Sequence, residues 1–182
     1  ELYKVRANSN FLFEEIKEIT TSEEKNRAII TKLKANYREL LQKYKDKRNE
    51  YGELATNVDN QFENISSYFE QFENAMDNNE YTEVTKIIKA INELLKHMET
   101  ILEEMPTIVL LCTNILPKKI KTSEDIYKKM QKMGYPLDYL NVEYNIEEAY
   151  KKIRDIYDRA KLLNLEDSLF ELKVLLDYFD SL

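Results

Sequence analysis

Between Gly52 and Asp77 the apolar residues fall at Ala55, Val58, Phe62, Ile65, Phe69, Phe72 and Met76, in alternating steps of three and four. A strand repeats every two residues and a helix every 3.6, so this run is one face of a helix. Asp77, Asn78 and Asn79 follow, residue types that end one helix and cap the next. The same stepping then resumes at Tyr81, Val84, Ile88, Ile91, Leu95, Met98, Leu102 and Met105, widened by Ile87, Leu94 and Ile101. A two-stranded coiled coil needs only a narrow seam, whereas the widened stripe suits burial against two neighbours at once. Three helices make the smallest bundle that uses it.

The pattern repeats after 84 residues. Ala55 maps to Tyr139, Val58 to Val142, Phe62 to Ile146, Ile65 to Ala149, Phe69 to Ile153 and Phe72 to Ile156. The next helix follows the same shift: Tyr81 to Leu165, Ile88 to Leu172, Ile91 to Leu175, Leu95 to Phe179 and Met98 to Leu182, with the break near Asn78 matched by Leu163 and Asn164. Helical phase, turn and length agree, which marks an internal repeat. Upstream of each pair a further helix ends at a glycine. Ile30, Leu33, Tyr37, Leu40 and Tyr44 precede Gly52, and Val109, Cys112, Leu116, Tyr127 and Met130 precede Gly134. Both glycines are read as turn residues at positive φ.

These observations predict an all-α chain of tandem spectrin-like antiparallel three-helix bundles, residues 1–105 and 106–182, the second truncated at its C-terminus. Tyr81 to Met133 contains no glycine and is expected to serve as the last helix of one bundle and the first of the next. Such a shared helix is about 80 Å long, which predicts an elongated rod. Pro106 and Pro117 each remove a backbone hydrogen bond and are expected to bend it. A break at Thr122 or Ser123 stays open, as does one at Thr21, where Thr21 and Glu24 have capping-box spacing. With only 2 Gly and 3 Pro in 182 residues, the chain is short of the turn residues a sheet protein needs.

The chemistry of catalysis is hard to assemble from these residues. Di-iron sites in helical bundles use paired Glu-x-x-His motifs, and the chain has one histidine, His97, with Glu93 four residues before it. His97 is read as a surface residue. Cys112 lies 15 residues from His97, about 22 Å along a straight helix, so a Cys–His pair is out of reach. Cys112 sits on the apolar stripe and is read as core. There is no Gly-rich phosphate loop, and Glu99, Glu103 and Glu104 read as a solvated helix face. The expectation is no enzyme, no metal and no cofactor.

Charge and hydropathy narrow the partners. A net charge of −7 disfavours nucleic acid and anionic lipid. The longest apolar run, Ile108 to Cys112 continuing to Leu116, falls far short of the roughly 20 residues that span a bilayer, and no signal peptide is evident. A single cysteine is compatible with a reducing cytoplasm. The chain opens inside a charged helical pattern and closes on Phe179 and Leu182 in helical phase, so it is expected to be a monomeric piece of a longer protein with any membrane anchor elsewhere.

Several stretches resemble the cytoplasmic part of the EzrA family of septation ring formation regulators: Ser22-Glu23-Glu24-Lys25-Asn26-Arg27, Asn36-Tyr37-Arg38-Glu39-Leu40 and Phe69-Glu70-Gln71-Phe72-Glu73. Most specific is Tyr127 to Glu143, YKKMQKMGYPLDYLNVE, which is similar to that family's YREMLEQGY-x-LEHL-x-IE. The resemblance implies a parent anchored by an N-terminal transmembrane helix and placed on the cytoplasmic face of the membrane at the division septum. It also implies binding to the tubulin-like division protein FtsZ, restraint of its ring and contact with septal cell-wall synthesis proteins. The alternative is a structural coiled-coil tether without specific FtsZ binding. Near the second glycine turn Lys128, Lys129 and Lys132 collect beside Tyr127 and Tyr135 on an otherwise acidic chain. Lys128, Lys129, Lys132 and Tyr135 are the candidate partner contact, since exposed cations beside aromatic rings steer and anchor an acidic partner such as FtsZ's tail. The alternatives are that these lysines are only a solvated face and that Tyr127 belongs to the core.

Overall fold

The structure, a computed structural model, describes the backbone of residues 2–181 and the side chains of residues 22–138 and 140–181. Tyr139 and Leu182, the repeat partners of Ala55 and Met98, lie outside the described side chains. Helix α1 spans Leu2–Asp46, α2 Ala55–Asp77, α3 Tyr81–Leu110, α4 Leu116–Lys132, α5 Val142–Lys161 and α6 Ser168–Ser181. A π turn, Leu111–Ile115, joins α3 to α4, and 3-10 turns occupy Arg48–Leu54 and Asp138–Leu140. Among the described residues there is no strand.

The long helix runs without a break from Tyr81 to Lys132. Its departure from α geometry is the π turn, where the Leu116 amide donates to the Leu111 carbonyl five residues back. Pro117 follows at the start of α4, and a ladder widened just before it gives the ring room it lacks in strict α register. Pro106 deprives the Leu102 carbonyl of its amide partner, and the Tyr51 hydroxyl approaches that carbonyl at 3.5 Å. The helix does not break near Thr122, whose hydroxyl bonds back to the Lys118 carbonyl within the helix at 2.9 Å. Nor does α1 break at Thr21, whose side chain lies outside the described residues.

The chain packs into two compact units, residues 1–42 with 63–96, and residues 43–62 with 97–182. In the first, Ile30 and Leu40 of α1, Ile65, Phe69 and Phe72 of α2, and Val84, Ile91 and Leu95 of α3 are buried. Tyr37 meets Phe69 edge to face at 5.5 Å. The buried line of α3 passes through Ile87 while its neighbour Ile88 is half-buried, so the flank carries as much of the contact as the main stripe. In the second unit the core includes Met98, Met105, Leu116, Ile120, Val142, Ile146, Ile153, Ile156, Leu172 and Phe179. Asn57 donates to the Lys161 carbonyl at 2.7 Å, satisfying an acceptor that the end of α5 leaves unpaired.

The repeat extends to the turns. After α2 the Glu80 amide bonds the Ala75 carbonyl and the Asn79 amide the Met76 carbonyl, with Asn79 at φ 57. After α5 the Asn164 amide bonds Arg159 and the Leu163 amide bonds Ala160, with Leu163 at φ 62. Both are left-handed helix stops of one hydrogen-bond pattern, and Asn79 and Leu163 stand 84 residues apart. Gly52 has φ 55 and ψ −133, a region open to glycine alone. A β-carbon there would meet Val109 at an ordinary 3.5 Å, so backbone conformation rather than space demands the glycine.

Candidate partner-contact surface

Helix α4 ends in a left-handed stop at Gly134, φ 87, where the Tyr135 amide reaches the Met130 carbonyl at 3.3 Å and the Gly134 amide the Gln131 carbonyl at 3.1 Å. Lys129 and Lys132 occupy the last turn, where the helix carbonyls point and positive charge is favoured. Lys128 and Lys132 are four residues apart and share a helix face. Lys128 is held by Glu124 at 2.9 Å. The hydrogen bond from that carboxylate, and its charge, push the Lys128 ammonium above its ordinary pKa, with Asp125 and Glu143 adding to it. The lysines therefore sit in a mixed field, with Lys129 and Lys132 as the cations without a carboxylate partner among the described residues.

Tyr127 and Tyr135 separate. Tyr127 is 9% exposed and belongs to the core stripe, since its step from Ile120 continues the buried face of α4. Tyr135, past the stop, is 54% exposed. The turn also exposes Ile126 and Met133, apolar side chains that the stripe leaves on the outer face. Spacing did not mark them as exposed, since Ile126 stands four residues before Met130 and Met133 three after it.

The cysteine and histidine are far apart in character. Cys112 is buried in the π turn and burial pushes its thiol up to about 11, which suppresses the reactive thiolate. His97 is exposed on α3. Among the described residues no group of three or more His, Cys, Asp or Glu is arranged to hold a metal ion, and no helix is long and apolar enough to cross a membrane.

A family model described as septation ring formation regulator, EzrA, matches residues 1–176 of the 182. No curated protein and no solved structure matches the chain.

Proposed function

Because the chain belongs to the EzrA family of septation ring formation regulators, we propose that it is a cytoplasmic segment that binds FtsZ, restrains and positions its ring, and scaffolds septal cell-wall synthesis proteins. The family match is the observation that carries this reading. In it, residues 1–105 and 106–182 are two spectrin-like repeats in series, the long helix from Tyr81 links them, and the parent is anchored to the membrane by a helix outside this sequence. Lys128, Lys129, Lys132 and Tyr135 contribute the partner contact, supported by their exposure at the end of α4 beside Ile126 and Met133. A positive site on a chain of net charge −7 would orient an acidic partner more than it would tighten it.

The test is retention of purified FtsZ by the chain across a salt series, beside a variant with Lys128→Glu, Lys129→Glu and Lys132→Glu together and unchanged helicity. The wild-type chain is expected to retain FtsZ, and the variant to bind more weakly with a shallower salt dependence. No retention by the wild-type chain rejects FtsZ as partner. Equal affinity and equal salt dependence reject this patch.

A further inference from the structure

The two repeats close the seam between their first and second helices in different ways. In the first, Glu73 of α2 pairs with Arg27 and Lys34 of α1, each at 3.4 Å. The 84-residue shift carries Glu73 to Tyr157, Glu70 to Arg154 and Ser66 to Tyr150, all on α5. Meanwhile Ile65, Phe69 and Phe72 and their counterparts Ala149, Ile153 and Ile156 are buried alike. The bundle core is thus conserved between repeats, and the change falls on a face that the core does not use. Two carboxylates and a hydroxyl give way to two phenols and a guanidinium.

This seam opens into a groove of about 230 Å³ lined by Cys112, Thr113, Tyr150, Ile153, Arg154 and Tyr157. Cys112 and Ile153 are 6% and 7% exposed and form an apolar floor. The Thr113 hydroxyl is committed to the Val109 carbonyl at 2.6 Å, and the Tyr157 phenol lies beside the Glu53 carboxylate. Arg27, Arg48 and Arg159 each hold a carboxylate. Arg154 holds none among the described residues, although it is the guanidinium that borders the groove.

We propose that this groove docks an acidic peptide segment of a partner protein, one carboxylate taken by Arg154 and an adjoining apolar side chain seated on Cys112 and Ile153 between the two tyrosines. The proposal extends the reading of the chain as a binding module by naming the chemistry of what it binds. A guanidinium presents a planar fork of donors that fits a carboxylate with two hydrogen bonds. Tyrosines beside it supply rigid contact area, and Tyr and Arg are the residue types that dominate binding energy at interfaces. A nucleic-acid backbone rewards many cations in a row, whereas one guanidinium over an apolar floor suits a single carboxylate with an apolar neighbour.

The probe is a short fluorescein-labelled peptide alternating Asp with Leu and Phe, followed by anisotropy, with an Asn-for-Asp copy as control. Arg154→Glu restores the charge that the first repeat carries at this position, so the fold is expected to survive, and circular dichroism checks it. Arg38→Glu, at an exposed arginine of α1, controls for net charge. The wild-type chain and Arg38→Glu are expected to bind the Asp peptide alike. Arg154→Glu is expected to lose about tenfold or more, the scale of a charge-assisted hydrogen bond, and the Asn peptide to bind the wild-type chain as weakly as the variant. Absence of saturable binding, unchanged affinity in Arg154→Glu, or an equal loss in Arg38→Glu overturns the proposal. If those failures occur while FtsZ is still retained, the groove falls and the proposed function stands; peptide binding without FtsZ retention gives the reverse.

Discussion

Asp59 is approached by two donors from α1 and the 3-10 turn that follows it. Arg48 bonds it through two of its three guanidinium nitrogens, Nη2 at 2.6 Å and Nε at 3.3 Å, and the Tyr44 hydroxyl reaches it at 2.5 Å with the Ala55 carbonyl as a second acceptor at 2.8 Å. The Arg48 hydrogen bond holds the Asp59 carboxyl below the ordinary carboxylate range against an opposing effect of burial, and Tyr44 assists. Burial first, then the same carboxylate, pushes the Tyr44 phenol upward. A carboxyl whose folded pKa is depressed binds its proton more readily when unfolded. Its contribution to stability is therefore complete above the ordinary Asp value of about 3.9 and is lost as pH falls through the folded value. Asp59→Asn is expected to lower the melting temperature at pH 7 and to flatten its decline below about pH 4 relative to the wild-type chain. Melting curves that stay parallel from neutral to acid pH would remove Asp59 from the acid response. No spacing rule pointed to this cluster, because Asp59 and Arg48 are eleven residues apart across a turn.

On the element scale the stripes decide most. All seven residues of the α2 stripe, Ala55 through Met76, are buried, because side chains that share a helix face must share its fate when that face packs. Phe69 and Ile153 occupy equivalent places in the two repeats at 8% and 7% exposure. Phe69→Ala and Ile153→Ala are each expected to cost about 2 to 5 kcal/mol through lost burial and a residual cavity, measured by urea unfolding with an unchanged slope. Near-neutral results at both would mean that these stripes do not form the core. Where the stripe was broad, sequence was less decisive. Leu94 and Leu102 are half-buried while Ile87 and Ile101 are buried, a division set by how the neighbouring helices lie against α3 and not by α3 itself. The π turn was equally hidden. Pro117 signalled a disturbed ladder, but break, bend and widened turn relieve the same clash, and the packing of Leu111 and Cys112 into the core accompanies the last.

For the whole molecule, the proposed pair of bundles in series predicts the scattering of an elongated monomer, since stacked helical repeats touch only their neighbours. A compact profile, or a mass of two chains, would contradict it. Sequence by itself determined the helical class, the turns at Gly52, Asn79, Gly134 and Leu163 and the 84-residue spacing of the apolar pattern, but not whether the helix from Tyr81 runs on past Thr122. These are local or periodic properties: a 3.6-residue period and a residue's access to positive φ are carried by the chain whatever it packs against. Only the tertiary structure decided that Tyr127 is core while Tyr135 is exposed, that Lys128 is held by Glu124, that Arg48 and Tyr44 meet on Asp59, and that the seam beneath Tyr150, Arg154 and Tyr157 stays open. Periodicity gives a side chain its direction about its own helix axis. Which neighbour waits there, and whether it seals the face with an ion pair or leaves a groove, depends on how separate helices are brought together.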